Sequence, residues 1–207
     1  MKHSVTCLSL SSLVLVALCS GCAKRPPTHY YVLERVREGA STPSSPVSKD
    51  GMNVGVPSFR IDAPYDQDRI VYRIGNDSPE IGYYAYHRWA VPLSRMLPAL
   101  VAESFAGVHG LQSIEPVTPG RDYDAFLEGR CVALEEIDVA DGQRVRIRIV
   151  LSLRRADGVE SWAKDLAYER TEQSREVRDI VEQMRHLLGQ ALAEAAADLE
   201  RALGELE

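Results

Sequence analysis

The chain reads as an α+β protein: a mainly antiparallel sheet with a C-terminal three-stranded meander, covered by two helices, the second of them long and C-terminal. Three patterns predict this. Val145, Ile147, Ile149, Leu151 and Leu153 alternate with Arg144, Arg146, Arg148, Val150 and Ser152, the period of a half-buried strand. Leu93, Met96, Leu97, Leu100, Val101 and Phe105 recur at spacings of three and four, as on one face of a helix. Val177, Ile180, Val181, Met184, Leu187, Leu188, Ala191, Leu192, Ala195, Leu199, Leu203 and Leu206 form a second such stripe.

Taken in order, the chain opens on a segment that is not part of the fold. Lys2 and His3 precede an apolar stretch broken by serines, with no further acidic or basic residue before Lys24. That is too short and too polar for a comfortable membrane span of about 20 apolar residues. It ends in Leu18-Cys19-Ser20-Gly21-Cys22. Small residues before a cysteine are what a lipoprotein signal peptidase requires. Residues 1–21 are therefore expected to be a signal peptide and Cys22 the lipidated N-terminus. An uncleaved anchor or an ordinary secretory signal is the alternative. Residues 22–27 form a short lipidated tether. Ala23 and Lys24 follow the cysteine where an aspartate would favour inner-membrane retention, so the outer membrane, facing the periplasm, is expected.

Residues 28–207 read as a single domain. Thr28 to Val36 is β-prone. Residues 37–51, rich in Ser, Pro and Gly, read as a flexible loop. Met52 to Phe59, Arg69 to Ile74 and Glu80 to Trp89 are the next strand candidates. The first helix is expected over Val91 to Ala106, with Pro92 in its first turn and Pro98 forcing a kink or a late start. Leu111 to Val117 reads as a short strand. The meander occupies residues 124 to 168. Asp141-Gly142 is placed at the centre of its first hairpin, which sets Ile149 against Leu134, Leu151 against Val132 and Arg148 against Glu135. The last helix runs from Ser174 to about Leu206. A straight helix of that length, roughly 50 Å, exceeds the span of a round domain of this size. Its second half, Ala193 to Glu207, therefore either projects as a self-association contact or frays.

Composition narrows the function. The chain is 45% hydrophobic and 26% charged, which fits a globular body with a real core. Its net charge is −6, and loss of Lys2 with the signal takes it one unit lower. That argues against nucleic acid, which rewards clustered positive charge. Cys7 and Cys19 leave with the signal and Cys22 is acylated. Cys131 then stands alone, with no intramolecular disulfide available to it. It reads as a buried, inert thiol. His3, His29, His87, His109 and His186 have no metal-ligand spacing, and no catalytic motif is present, so neither a cofactor nor an enzyme activity is expected.

Two clusters stand out. Tyr83, Tyr84, Tyr86, His87, Arg88 and Trp89 are the densest aromatic run. On a regular strand Tyr84, Tyr86 and Arg88 share one side. Tyr83, Tyr84, Tyr86 and Arg88 form the candidate partner surface, since Tyr and Arg dominate interface hot spots. Core packing competes with that reading and is preferred for Trp89. Arg144, Arg146 and Arg148 make a basic stripe, read as a solvated face paired with Glu135 and Glu128 in preference to an anionic contact.

Arg69-Ile-Val-Tyr-Arg-Ile-Gly75 followed by Tyr83-Tyr84-Ala-Tyr-His-Arg88-Trp89-Ala90-Val-Pro92 resembles the ABC-type transport auxiliary lipoproteins, also called PqiC-like or YmbA-like. Tyr30-Tyr31-Val-Leu33 soon after a lipidated cysteine adds to the likeness, and the order of elements matches along nearly the whole mature chain. Cys19, where such lipoproteins usually carry Leu, and the long Ser/Pro loop depart from the pattern. The resemblance implies an outer-membrane lipoprotein facing the periplasm. Its partners would be an MCE-domain protein and an ABC-type inner-membrane complex that together move lipids between the membranes and protect the envelope. It implies a docking piece able to self-associate as a homo-oligomer, not a catalyst. A lipoprotein that assists envelope assembly or regulates a cell-wall synthase is the competing reading, and a periplasmic hydrolase a third.

Overall fold

The computed structural model describes residues 25–35, 51–76, 78–140 and 142–205. The signal, Cys22 and nearly all of the Ser/Pro loop lie outside the described residues. Nine strands and two helices follow in order: β1 (His29–Tyr31), β2 (Met52–Val56), β3 (Arg60–Ile61), β4 (Arg69–Ile74), β5 (Ile81–Trp89), α1 (Leu93–Phe105), β6 (Leu111–Pro116), β7 (Ala125–Val139), β8 (Gly142–Arg155), β9 (Glu160–Glu172) and α2 (Val177–Gly204). The α+β class, the meander and the long final helix are as the sequence predicts.

β7 is the axis of the sheet. One edge pairs antiparallel with β8, which pairs antiparallel with β9. The other edge takes three short parallel strands in succession: β2 at Ala125 and Phe126, β3 at Arg130 and Cys131, and β4 from Glu135 to Asp138. β6 lies parallel beside β2, β5 antiparallel beside β4, and β1 parallel beside β5. The longest ladders are antiparallel, but the sheet is mixed. The short parallel strands lack the clear alternation that makes a meander legible, so sequence gives no handle on their pairing.

The first hairpin corrects the expected register. Val139 pairs with Gly142 in place of Arg144, a slip of two, so Leu134 faces Ile147 and Glu135 faces Arg146. Gly142 adopts φ 138, a backbone angle that a side chain resists, as the first residue of β8. From the turn to Ala133 the slip is two and every side chain keeps its expected face. Beyond it the slip is three, so Leu151 pairs with Gly129 and Val132 loses the buried place expected for it. Val132 is then an extra residue on β7, between Cys131, paired with Ile149, and Ala133, paired with Arg148. This bulge moves the buried face of β7 from Leu127 and Cys131 to Leu134. Across from it Val145, Ile147, Ile149, Leu151 and Leu153 are all buried.

Both helices pack on one face of the sheet over a continuous core. Pro98 sits inside α1. Its missing N–H orphans the Ser94 carbonyl, and the Phe59 backbone N–H donates to that oxygen at 3.1 Å. The helix is kept and β3 is tied to it. The Phe59 ring in turn lies against Gly129, where an added Cβ would come within 2.0 Å of it.

α2 does not project. Ala195, Ala196 and Leu199 are buried, and Leu203 packs against Gly110 just before β6. Trp162 Nε1 donates to Asp198 at 3.0 Å, and the His109 backbone N–H donates to Glu200. The expectation of a projecting end assumed a round domain. β7, at 15 residues, instead spans about 50 Å. The 28 residues of α2 span about 42 Å, so the meander is long enough to cover them.

On the opposite face lies a smaller cluster of Tyr65, Val71 and Ala133, packed by Ile61 and Tyr83. Beside it the basic stripe is neutralised. Arg144 and Arg146 pair with Glu169, Arg146 also with Glu135, Arg148 with Asp165, and Arg154 with Glu128 and Glu160. The Arg148–Glu135 pair expected from the earlier register is replaced by these.

Candidate functional site

The aromatic run occupies β5, where the strand is not regular. Arg88 pairs with Arg69 and Tyr83 with Val71, so the register shifts between them and Tyr84 to His87 are looped past β4 without opposite numbers. The even spacing that would put Tyr84, Tyr86 and Arg88 on one side is therefore broken.

The four residues separate accordingly. Tyr83 packs against the smaller cluster, and the Arg69 guanidinium lies 4.6 Å from its ring centre. Tyr84 turns to the helix-covered face and donates a hydrogen bond to Glu136 Oε2 at 2.7 Å. Glu136 is 3% exposed. Burial raises its pKa, and the Tyr84 hydroxyl opposes part of that rise. Burial, reinforced by the Glu136 carboxylate, raises the Tyr84 phenol as well. Only Tyr86 is well exposed. Arg88 is half-buried and bonds Asp68 Oδ2 at 2.6 Å. The Trp89 side chain is buried in the core, as its packing reading expects.

Behind Tyr84 the structure assembles groups the sequence did not connect. His87 stacks on His29 at 5.1 Å and on Tyr31 at 5.8 Å, and meets Tyr84 edge-on at 5.5 Å. Tyr31 Oη lies 2.8 Å from His87 Nδ1. Burial, with His29 beside it, lowers the His87 pKa, while Glu176 at the start of α2 opposes this. This group clamps β1 to β5. A parallel pairing between residues about 58 apart leaves no local sequence signal, so nothing in the sequence joins His29 and Tyr31 to His87.

On the other face Glu135, 1% exposed, binds Arg73 at 3.1 Å and Arg146 at 3.2 Å. The nearby Tyr65 phenol is raised by burial and by that carboxylate. Cys131 is buried, and burial pushes its thiol up to about 12, which leaves it inert. The surface that remains is Tyr86 with the Arg88–Asp68 pair. Asp68, the partner of Arg88, also lines a cleft of about 250 Å³ with Phe59, Ile61, Tyr65, Pro92 and Leu93. It is a small recess with the Phe59 and Tyr65 rings among its walls and the Asp68 carboxylate at one side. Among the described residues no helix is long and apolar enough to cross a membrane.

Comparison with known proteins agrees with this architecture. Protein XCC0632 from Xanthomonas campestris, of family model DUF330, superposes with a TM-score of 0.66 at 15% identity, covering 86% of this chain and 95% of that one. A second crystal structure, of an uncharacterized protein, superposes at 0.61 with 16% identity, covering 85% and 98%. At such identities the likeness is one of fold. No curated protein matches the sequence. The model of the ABC-type transport auxiliary lipoprotein component matches residues 31–197, from the clamp on β1 to the packed second half of α2. The chain belongs to the ABC-type transport auxiliary lipoprotein component family.

Proposed function

We propose that this protein is an outer-membrane lipoprotein, anchored through Cys22, that serves as a non-catalytic accessory of an MCE/ABC-type lipid transport system. It docks the inner-membrane-anchored MCE protein at the outer membrane. Family membership over residues 31–197 carries this reading. The signal pattern ending at Cys22 supports the anchor. The short tether supports a role in receiving something that arrives at the membrane. The inward placement of Tyr84, Glu136 and Glu135 supports structural work for the buried polar groups. Tyr86, Arg88 and the cleft lined by its partner Asp68 are the docking surface, with Tyr83 and Tyr84 holding β5 in place.

Two variants test this. Cys22→Ala is expected to move the protein from the membrane to the soluble periplasmic fraction, and membrane retention would contradict the anchor. A photo-crosslinking amino acid in place of Tyr86 is expected to capture the MCE protein in intact cells. Capture of a cell-wall synthase or an assembly factor in its place would favour the competing envelope role.

A further inference from the structure

Large apolar side chains gather at one place on the surface. Tyr30 is 66% exposed, Val32 44% and Val91 38%. The Ala90 N–H donates to the Tyr31 carbonyl at 2.8 Å, so the two segments run side by side. Val32 and Val91 line a groove of about 200 Å³ against α1, floored by Met96 and Leu100 and edged by Ala99. The remaining exposed apolar side chains away from β5, Ile74, Val117 and Val159, stand singly at strand ends and turns.

This patch begins eight residues after Cys22. A chain step spans at most about 3.6 Å, so Tyr30 stays within about 29 Å of the acylated residue. Val32 and Val91 are tied to Tyr30 by the pairing above. A surface held this close to a bilayer meets it at a high effective concentration, and a small apolar area then suffices. The apolar chemistry suits an interface: a tyrosine with a wet hydroxyl and two valines. Exposed Arg25 and Arg95 are offset by Glu34 and Glu103, exposed carboxylates that line the same groove, so headgroup charge adds little. The chain's net charge of −6 makes general electrostatic adhesion an unsuitable driver, which leaves the anchor and the patch.

We propose that Tyr30, Val32 and Val91 rest on the bilayer that holds Cys22, seating β1 and the start of α1 in its headgroup layer. The inference relies on the lipidation of Cys22. It orients the domain: the β1–α1 edge faces lipid and the meander points into the periplasm.

The test uses lipidated protein reconstituted into phosphatidylethanolamine–phosphatidylglycerol vesicles. An environment-sensitive fluorophore is placed at Val32→Cys, at Val91→Cys and, as the remote control, at Val159→Cys. Buried Cys131 leaves the labelling selective. Flotation is measured on the same samples. The expected result is flotation of all three, with blue-shifted emission quenched by nitroxide lipids at positions 32 and 91 and an aqueous spectrum at 159. Flotation with aqueous spectra at 32 and 91 overturns the proposal and leaves the anchor intact. Failure to float overturns the anchor and the proposal with it. A blue shift at 32 and 91 that grows with protein concentration in lipid-free samples, and resists nitroxide lipids in vesicles, overturns it in favour of a second copy on that face.

Discussion

Glu135 shows how single residues hold this molecule. It is a buried carboxylate between Arg73 and Arg146, reached from β4 on one side and β8 on the other. Charge-assisted bonds of this kind contribute more than neutral ones, and each arginine would be left without its buried partner. Glu135→Gln is expected to cost about 2 kcal/mol in chemical denaturation. An unchanged midpoint would mean that the arginines find equivalent partners elsewhere. His87 gives a pH signature. Its folded-state pKa lies below the ordinary 6.5, chiefly through burial, with His29 adding and Glu176 opposing; Tyr31 and Tyr84 face it as neutral groups. The unfolded chain takes up the proton first, so folded stability falls as pH drops through 6.5 toward the lowered value. His87→Gln is expected to lose less stability than the wild type between neutral pH and pH 5. Glu136 acts with the opposite sign. Its raised folded-state pKa favours the fold below its ordinary 4.5 and loses that contribution as pH rises through the folded value, so it does not mimic the His87 effect. At this scale the burial of Trp89 and Cys131 was legible, since their apolar bodies specify it, as was the ion-paired character of the Arg144, Arg146 and Arg148 stripe. Tyr84 was not, because a local irregularity in β5 decides which way it points.

Among the elements, the β7–β8 hairpin carries the fold's specificity. Ile149 is 1% exposed and sits opposite Cys131, beside the bulge at Val132. Ile149→Asp would bury an unpaired charge and is expected to cost about 4 kcal/mol or more, enough to abolish a cooperative melt. A melting curve like the wild type's would put Ile149 on the solvent face. Faces were legible in β8 because alternation fixes them. The exact pairing was not, since a slip of two residues leaves the alternation unchanged and the turn chemistry of Ala140-Asp141-Gly142 fits both registers. α1 teaches a related lesson. Pro98 in isolation predicts a kink or a late start, yet the Phe59 N–H donates to the Ser94 carbonyl in place of the proline. Only the folded chain brings a donor from residue 59 to that carbonyl.

For the whole molecule, the dimensions of the sheet set what the last helix does. A meander about 50 Å long offers α2 a floor for its entire length, and Leu199 near its end is completely buried. Leu199→Ala is expected to cost about 3 kcal/mol, measured as a lowered midpoint of unfolding. A projecting helix would tolerate the change. Self-association through a free helical tail loses its structural basis, which leaves the sheet edges and the β5 surface as the faces available to partners. The chain thus presents two ends with different chemistry. An apolar edge is formed by Tyr30, Val32 and Val91, and a cleft lined by Asp68, the partner of Arg88, lies elsewhere on the surface. The measurement that tests the docking role most directly is a crosslinked pull-down of tagged protein from intact cells, identified by mass spectrometry. The account predicts recovery of an MCE-domain protein together with an ABC permease, reduced by Arg88→Glu. Repeated recovery of cell-wall synthases or assembly factors without either component would contradict it.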